Sequence, residues 1–218
     1  MSTCLLSLKE SNRKPARNVT IQEQFGHIDI YLFDQLLRGN ITPAMTVLDA
    51  GCGPGRNLVY LLREGCHVFA VDTDSHAVEQ VRRLAASLGN PSPSENFCVA
   101  PVEQMPFPDA IADVVICSAV LHFARSGEHF LAMLNELWRV LKPGGLLFCR
   151  LASRIGMDFE LLPDGRYRVG NSHWFLVDEP TLLAHTRQRR VELVDPIKTT
   201  IVQNTRCMTT WVLRKPTT

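Results

Sequence analysis

The sequence predicts an α/β protein built on a mostly parallel sheet with helices on both faces. Three observations carry that prediction. The apolar runs at 46–50, 67–71, 113–118 and 146–151 are short and nearly continuous, as strands buried on both faces are. Between them lie segments whose apolar residues recur at helical spacing. The stretch Thr46-Val47-Leu48-Asp49-Ala50-Gly51-Cys52-Gly53-Pro54-Gly55-Arg56-Asn57 passes from the first strand towards a helix through three glycines. Such a turn lets backbone approach a ligand closely.

The elements follow in order. Ile21, Phe25, Ile28, Leu32 and Leu36 form an apolar stripe that predicts one helix over 20–38, stopped by Gly39-Asn40. After strand 46–50, a helix is expected over 56–63, stopping at Gly65. Strand 67–71 leads to a helix capped by Asp74 or Ser75, with Val78, Val81, Leu84 and Ala85 on one face, ending at Leu88-Gly89. A Pro/Ser loop at 90–94 precedes strand 96–100, and strand 113–118 follows. Phe130, Leu134, Leu137, Trp138 and Leu141 define the next helix, ended by Lys142-Pro143-Gly144-Gly145 before strand 146–151. Residues 153–171 are polar and turn-rich, with a turn at Pro163-Asp164-Gly165. Asp178-Glu179-Pro180 opens a helix over 181–188, and strand-like runs at 191–201 and 207–213 fit a closing antiparallel pair.

Composition narrows the class of partner. The 218 residues, 45% hydrophobic, suit a single domain with a sizeable core. The formal net charge is +1 and no basic run exceeds a few residues, which argues against a nucleic-acid partner. Arg187, Arg189 and Arg190 read as a solvated helix end. No apolar run approaches the roughly 18 residues of a membrane span, so no membrane association is expected, and Met1–Leu8 lacks the basic start of a secretory signal. Seven scattered cysteines without a C-x-x-C motif imply reduced thiols and a cytoplasmic setting, with no metal site. Residues 1–18 are polar and mixed.

The turn and the second strand together select a ligand. Asp72 ends the second strand, where a carboxylate can accept from both hydroxyls of a ribose. The glycines run G-x-G-x-G, and Arg56 occupies the place of the third glycine of a dinucleotide fingerprint, which opposes a nicotinamide cofactor. Asp49, two residues before Gly51, would repel a pyrophosphate but attract a cation. S-adenosyl-L-methionine, with its amino group and sulfonium, suits this pattern. Four pieces in order, V-L-D-A-G-C-G-P-G at 47–55, V-D at 71–72, M-P-F-P-D at 105–109 and the run 113–151 ending L-K-P-G-G-L-L-F, resemble class I S-adenosylmethionine-dependent methyltransferases of the type 11 kind over about 45–152. The segment G-R-N-L-V-Y-L and the C-terminal M-T-T-W-V-L-R-K resemble, within that class, the tellurite-resistance branch.

The resemblance implies a Rossmann-like, seven-stranded, mostly parallel sheet with a C-terminal antiparallel strand. It divides the chain into an N-terminal helical cap at 1–40, a cofactor-binding core at 41–152 and a substrate-side segment with closing strands at 153–218. By resemblance, Asp49, Gly51, Cys52, Gly53, Arg56, Asn57, Asp72, Thr73, Val102, Glu103 and Ser118 would bind the cofactor, and Tyr31 and Asp34 would close over it. Asp49 would also organise the turn, and Arg56 would meet the methionine carboxylate or stay a surface cation. Val102, Glu103 and Met105 are candidates for the adenine pocket, while Pro101 stands where the family often has the acid that holds the adenine amino group. His122 is a candidate general base, and Arg150 with His173-Trp174-Phe175 is a candidate lining of the acceptor pocket. Because the sulfonium is already an activated leaving group, alignment alone can supply much of the catalysis. A base matters only for an acceptor that carries a proton. The expected activity is methyl transfer to a small molecule by a monomer or homodimer, and the alternative is a cofactor-binding protein without turnover. An arsenite-type acceptor, which would call for positioned cysteines, is disfavoured.

Overall fold

The computed structural model describes residues 19–217; the readings made for 1–18, including Cys4 and the absence of a secretory signal, lie outside them. The elements are α1 (Ile21–Phe25), α2 (Ile30–Leu37), β1 (Thr46–Ala50), α3 (Val59–Arg63), β2 (His67–Asp72), α4 (Ser75–Ser87), β3 (Phe97–Val99), β4 (Ala112–Ser118), α5 (Gly127–Val140) and β5 (Leu141–Ala152). Then come β6 (Tyr167–Val169), β7 (Ser172–Trp174), α6 (Glu179–Gln188), β8 (Glu192–Leu193), β9 (Lys198–Val202) and β10 (Arg206–Arg214).

Eight strands form the main sheet in the order β3-β2-β1-β4-β5-β10-β8, with β9 also on β10. The first five run parallel, and β10 is antiparallel to β5. The predicted seven positions hold. The seventh is filled by two short strands, because β8 pairs with Leu213–Arg214 and β9 with Arg206–Thr210 of the same strand. The run 191–201 is therefore not one strand, and Asp195 lies in the break, buried among Gln35 and Arg38.

Alternation along the strands makes two cores. Val47, Val114 and Ile116 face α3 and α4, together with Leu61, Val78 and Val81. Leu48, Val115 and Cys117 face the other side, with Leu134 and Leu137 of α5 and Trp211 of β10. Strand order reverses at β1, between β2 and β4, which makes the carboxyl ends of these strands the natural ligand crevice.

Three further expected elements differ. The single helix over 20–38 is two, because Gly26 takes φ 63° and packs on Val59, and Asp29 then caps α2 by accepting from the Tyr31 N–H. Ile21, at the start of that apolar stripe, is 78% exposed. The helix expected from Arg56 begins at Val59, since residues 55–58 form a turn closed by Leu58 N–H to the Gly55 carbonyl at 2.9 Å. Lys142–Gly145 does not simply separate helix from strand: β5 begins at Leu141, and the segment is a register shift between the Ala112–Leu141 and Val114–Leu146 pairs. Within the turn-rich segment, β6 and β7 form a hairpin that the sequence did not announce.

Candidate functional site

The glycine turn is held by backbone. Gly51 N–H and Cys52 N–H both donate to the Val71 carbonyl, at 2.8 and 2.9 Å. Gly51 has φ 78°, and a Cβ there would lie 2.3 Å from Val120 Cγ2, so any other residue would be strained and would have to displace Val120. Asp49, expected to organise this turn, takes no part in its hydrogen bonds. It sits on β1 between β2 and β4, 1% exposed, and neither carboxylate oxygen has a hydrogen-bond partner among the described residues. Burial pushes its carboxyl up to about 7; Arg56 opposes the shift and Asp72 adds to it. A buried carboxylate without partners is costly, and an ammonium entering from above would satisfy it. Burial, with Asp49 and Asp72 beside it, also pushes the Cys52 thiol up, leaving a neutral wall.

Asp72 ends β2 with both oxygens aimed by backbone. Oδ2 accepts from Gly53 N–H at 2.8 Å and Oδ1 from Asp74 N–H at 3.0 Å. Each oxygen keeps a lone pair for a hydroxyl, and Thr73 lies next to it on the same wall.

Arg56 and Asn57 occupy the turn before α3. Arg56 Nη2 donates to Ser118 Oγ at 3.2 Å and lies 3.9 Å from Asp29 Oδ2. Asn57 Oδ1 accepts from Asp29 N–H at 3.0 Å, tying the start of α2 to the glycine turn. Arg150, at the end of β5, donates to Asp29 Oδ1 at 3.2 Å and stacks 4.7 Å from the centre of the Tyr31 ring.

A cleft of about 540 Å³ opens at the carboxyl ends of β1, β2, β3 and β4. Arg56 and Asn57 line it, whereas Asp29 and Arg150, the latter expected to line an acceptor pocket, stand behind its wall, and His173, Trp174 and Phe175 do not line it. Of the residues expected to bind a cofactor, Gly51, Cys52, Gly53, Arg56, Asn57, Asp72, Thr73, Val102, Glu103 and Ser118 line it together. Asp49 lies buried beneath the turn. Tyr31 does not line the cleft; its hydroxyl is 2.8 Å from Thr200 Oγ1. Asp34 faces Arg38 and Lys198 instead. Met105 is buried behind the wall, its N–H given to Glu136.

His122 is not in the wall either. It is 3% exposed, packed against Phe123 and Trp174, and its Nδ1 accepts from Ala152 N–H at 3.2 Å. Burial pushes its pKa down to about 4, so the ring is neutral at pH 7.

The wall also contains residues that sequence reasoning missed: Phe123, Arg125, His129 and Met133. They come from the turn after β4 and the first turns of α5, where the helical face was read as core only. His129 Nε2 lies 2.9 Å from Glu103 Oε1, and Arg125 Nη2 lies 3.6 Å away. Burial raises the Glu103 carboxyl, but a hydrogen bond from its own N–H and the charge of His129 and Arg125 outweigh that and hold it below its ordinary value. The signal was available: His129 and Met133 are four apart on the helix facing the crevice. Among the described residues no cluster of His, Cys, Asp and Glu is arranged to hold a metal ion, and no helix is long and apolar enough to cross a membrane.

Residues 48–149 match the family model described as a methyltransferase domain. The chain is 33% identical over 141 residues to the tRNA U34 carboxymethyltransferase of Saccharophagus degradans, covering 63% of this chain and 42% of that protein. It is 33% identical over 108 residues to the malonyl-[acyl-carrier protein] O-methyltransferase of Enterobacter lignolyticus (49% and 39%), and 35% identical over 105 residues to a thiol S-methyltransferase of Homo sapiens (48% and 41%). The matches thus span about two fifths of these relatives' lengths. In fold, the chain matches the Burkholderia thailandensis 1,6-didemethyltoxoflavin-N1-methyltransferase, bound to S-adenosylhomocysteine, with TM-score 0.66 at 20% identity over 88% of this chain and 79% of that one. The [4+2]-cyclase SpnF matches with TM-score 0.66 at 16% identity, covering 87% and 82%.

Proposed function

We propose, on the premise that residues 48–149 are a methyltransferase domain of the class I, S-adenosylmethionine-dependent family, that this protein methylates a small-molecule acceptor. One observation carries the reading. One cleft is lined by Asp72, with a lone pair free on each backbone-aimed oxygen, and by the glycine turn, and directly before that turn in the chain stands the buried Asp49, whose carboxylate has no partner among the described residues and does not itself line the cleft. Asp72 would take the ribose hydroxyls, Asp49 the cofactor's ammonium, and Arg56 its carboxylate, a charge-assisted contact. Bound so, the cofactor supplies an activated methyl group on sulfur.

The chain's own contribution is orientation and exclusion of water. Arg56 and Ser118 are bonded to each other in the cleft wall, and Asn57 and Arg150 tie the start of α2 to the elements behind it. The cleft volume falls in the range of small-molecule sites. The neutral, engaged His122 supports an acceptor that needs no base from this position, such as a thiolate. The relatives named for tRNA and acyl-carrier-protein substrates are matched over only about two fifths of their length, so their acceptors carry little weight here. Six buried or half-buried free cysteines among the described residues support a reducing, cytoplasmic setting.

A second reading, cofactor binding without methyl transfer, draws on the [4+2]-cyclase that shares this fold. The test is calorimetric titration with S-adenosylmethionine and S-adenosylhomocysteine on wild type and Asp72→Ala, followed by assay of S-adenosylhomocysteine release against thiols, phenols and amines. Binding lost in the variant, with turnover on one acceptor class, is the expected result. Binding without any turnover favours the second reading, and no binding to wild type sinks both.

A further inference from the structure

Two guanidiniums share one buried carboxylate at the edge of the cleft. Asp29 is 6% exposed. Its Oδ1 accepts from Tyr31 N–H at 3.0 Å and from Arg150 Nη1 at 3.2 Å. Its Oδ2 lies 3.9 Å from Arg56 Nη2, beyond hydrogen-bond length. Arg150 is largely enclosed, with 16% of its side chain exposed and its face on the Tyr31 ring. Arg56 is 44% exposed and lines the cleft, and among the described residues its one hydrogen bond goes to the neutral Ser118 hydroxyl.

The asymmetry has a physical consequence. A buried carboxylate must be paired. Arg150 meets that demand from behind, where its enclosed side chain has little freedom. With Arg150 in place, Asp29 does not draw Arg56 out of the cleft. Without it, the nearest cation to Asp29 is Arg56, and a shift of about 1 Å would close that pair. The cofactor's carboxylate would then find Arg56 already engaged.

We propose that Arg150 is a positioning residue: by neutralising Asp29 it keeps Arg56 free to bind the carboxylate at the amino-acid end of the cofactor. The inference rests on the cofactor reading given above. Charge balance agrees with it: two guanidiniums and Asp29 leave one positive charge for the ligand carboxylate, and Asp49, which feels the charge of Arg56, leaves one negative charge for its ammonium.

The experiment compares, by calorimetry, S-adenosylhomocysteine with its decarboxylated analogue, 5′-(3-aminopropyl)thioadenosine. Both share adenosine, thioether and ammonium, so their affinity ratio reports the carboxylate contact and not general damage to the fold. Wild type should prefer the carboxylate ligand. Arg150→Gln should shrink that preference roughly tenfold, the size of one charge-assisted hydrogen bond. Adding Asp29→Asn should restore it, since the competing charge is gone. In an Arg56→Gln background, Arg150→Gln should have no further effect on the ratio. An unchanged ratio in Arg150→Gln, or no restoration by Asp29→Asn, overturns the proposal and leaves Arg150 a structural residue. If Arg150→Gln does not fold, Asp29→Asn alone decides: it should keep or widen the preference, and a lost preference overturns the proposal. A wild type that binds neither ligand removes the cofactor reading and this inference with it; one that binds both equally removes only the inference.

Discussion

Asp49 and Asp72 lie at the carboxyl ends of neighbouring parallel strands beside one glycine turn, yet their surroundings are opposite. Asp72 accepts Gly53 N–H at 2.8 Å and Asp74 N–H at 3.0 Å, whereas Asp49 accepts nothing. The first is a carboxylate set in place by backbone. The second is a buried group whose partner must come from outside the chain, and its cost to the free protein can be measured.

Burial raises the Asp49 carboxyl to about 7 in the folded protein, against the ordinary 3.8. The folded state therefore holds a proton that the unfolded state has lost between those values, and stability falls as pH rises from about 4 to about 7. Above that window the penalty is constant. Asp49→Asn, nearly isosteric and uncharged, should remove it and raise the melting temperature more at pH 8 than at pH 5, where only the first part of the penalty has developed. The same substitution should weaken S-adenosylhomocysteine binding at pH 8 by about tenfold or more. Wild-type affinity should also rise with pH through about 7, with proton release on binding near pH 6. Melting curves and titrations at pH 5, 6 and 8 check this; a melting temperature at pH 8 that Asp49→Asn leaves unchanged or lowers would contradict it.

Gly51→Ala meets two obstacles at once. The residue sits at φ 78°, and its new Cβ would stand 2.3 Å from Val120 Cγ2. Strain of about 1–2 kcal/mol from the backbone and about 1–3 kcal/mol from overpacking are expected together. Adding Val120→Ala should recover the steric part and leave the backbone part. Urea unfolding of both variants separates the two, and a double variant no more stable than Gly51→Ala would deny the Val120 contact its role.

How much of this was readable in the sequence depends on the range of the causes. The parallel core was, because Val47, Leu48, Val68, Val114 and Val115 carry burial on both faces in the local pattern itself. So was the set of cleft residues on the glycine turn, since a strand followed by glycines can hardly place them elsewhere. The break in the N-terminal helix was not: it depends on Gly26 meeting Val59, a contact between elements. His122 was a candidate base because it follows β4, but the strand's end turns its ring inward towards Ala152 N–H and Trp174. The Asp29–Arg150 pair joins residues 121 apart, and no local spacing announces it.

His122 offers a sharper test of chemistry. Burial holds its pKa at about 4, below the ordinary 6.5, so the unfolded state binds more protons between those values. Stability from this group is present above about 6.5 and is lost as pH falls through that window. His122→Phe should remove that acid sensitivity while leaving the Ala152 N–H without an acceptor, a cost of about 1–3 kcal/mol. If the residue serves as a base, the substitution should instead abolish turnover in the folded protein. Melting curves at pH 5 and 7, with turnover measured below the melting point, tell the two roles apart; retained turnover with lowered stability is the expected result.

Asp72→Asn asks whether a charge or merely an acceptor is needed at the end of β2. Asp72 receives two backbone N–H groups on two different oxygens. An amide offers one oxygen, so one of Gly53 and Asp74 must face an NH₂ donor and lose its bond. Either loss alters the site differently. Freeing Gly53 loosens the glycine turn itself, whereas freeing Asp74 loosens the cap of α4, whose first turn Asp74 holds through His76 N–H. Both outcomes leave fewer lone pairs for a ribose. The variant should therefore bind S-adenosylhomocysteine at least tenfold more weakly than wild type, with a loss of about 1–3 kcal/mol in stability from the orphaned donor. Calorimetry beside urea unfolding measures both quantities on one sample. Undiminished affinity for the nucleoside ligand in a variant of lowered stability would mean that Asp72 serves the turn alone and that the ribose is held elsewhere in the cleft.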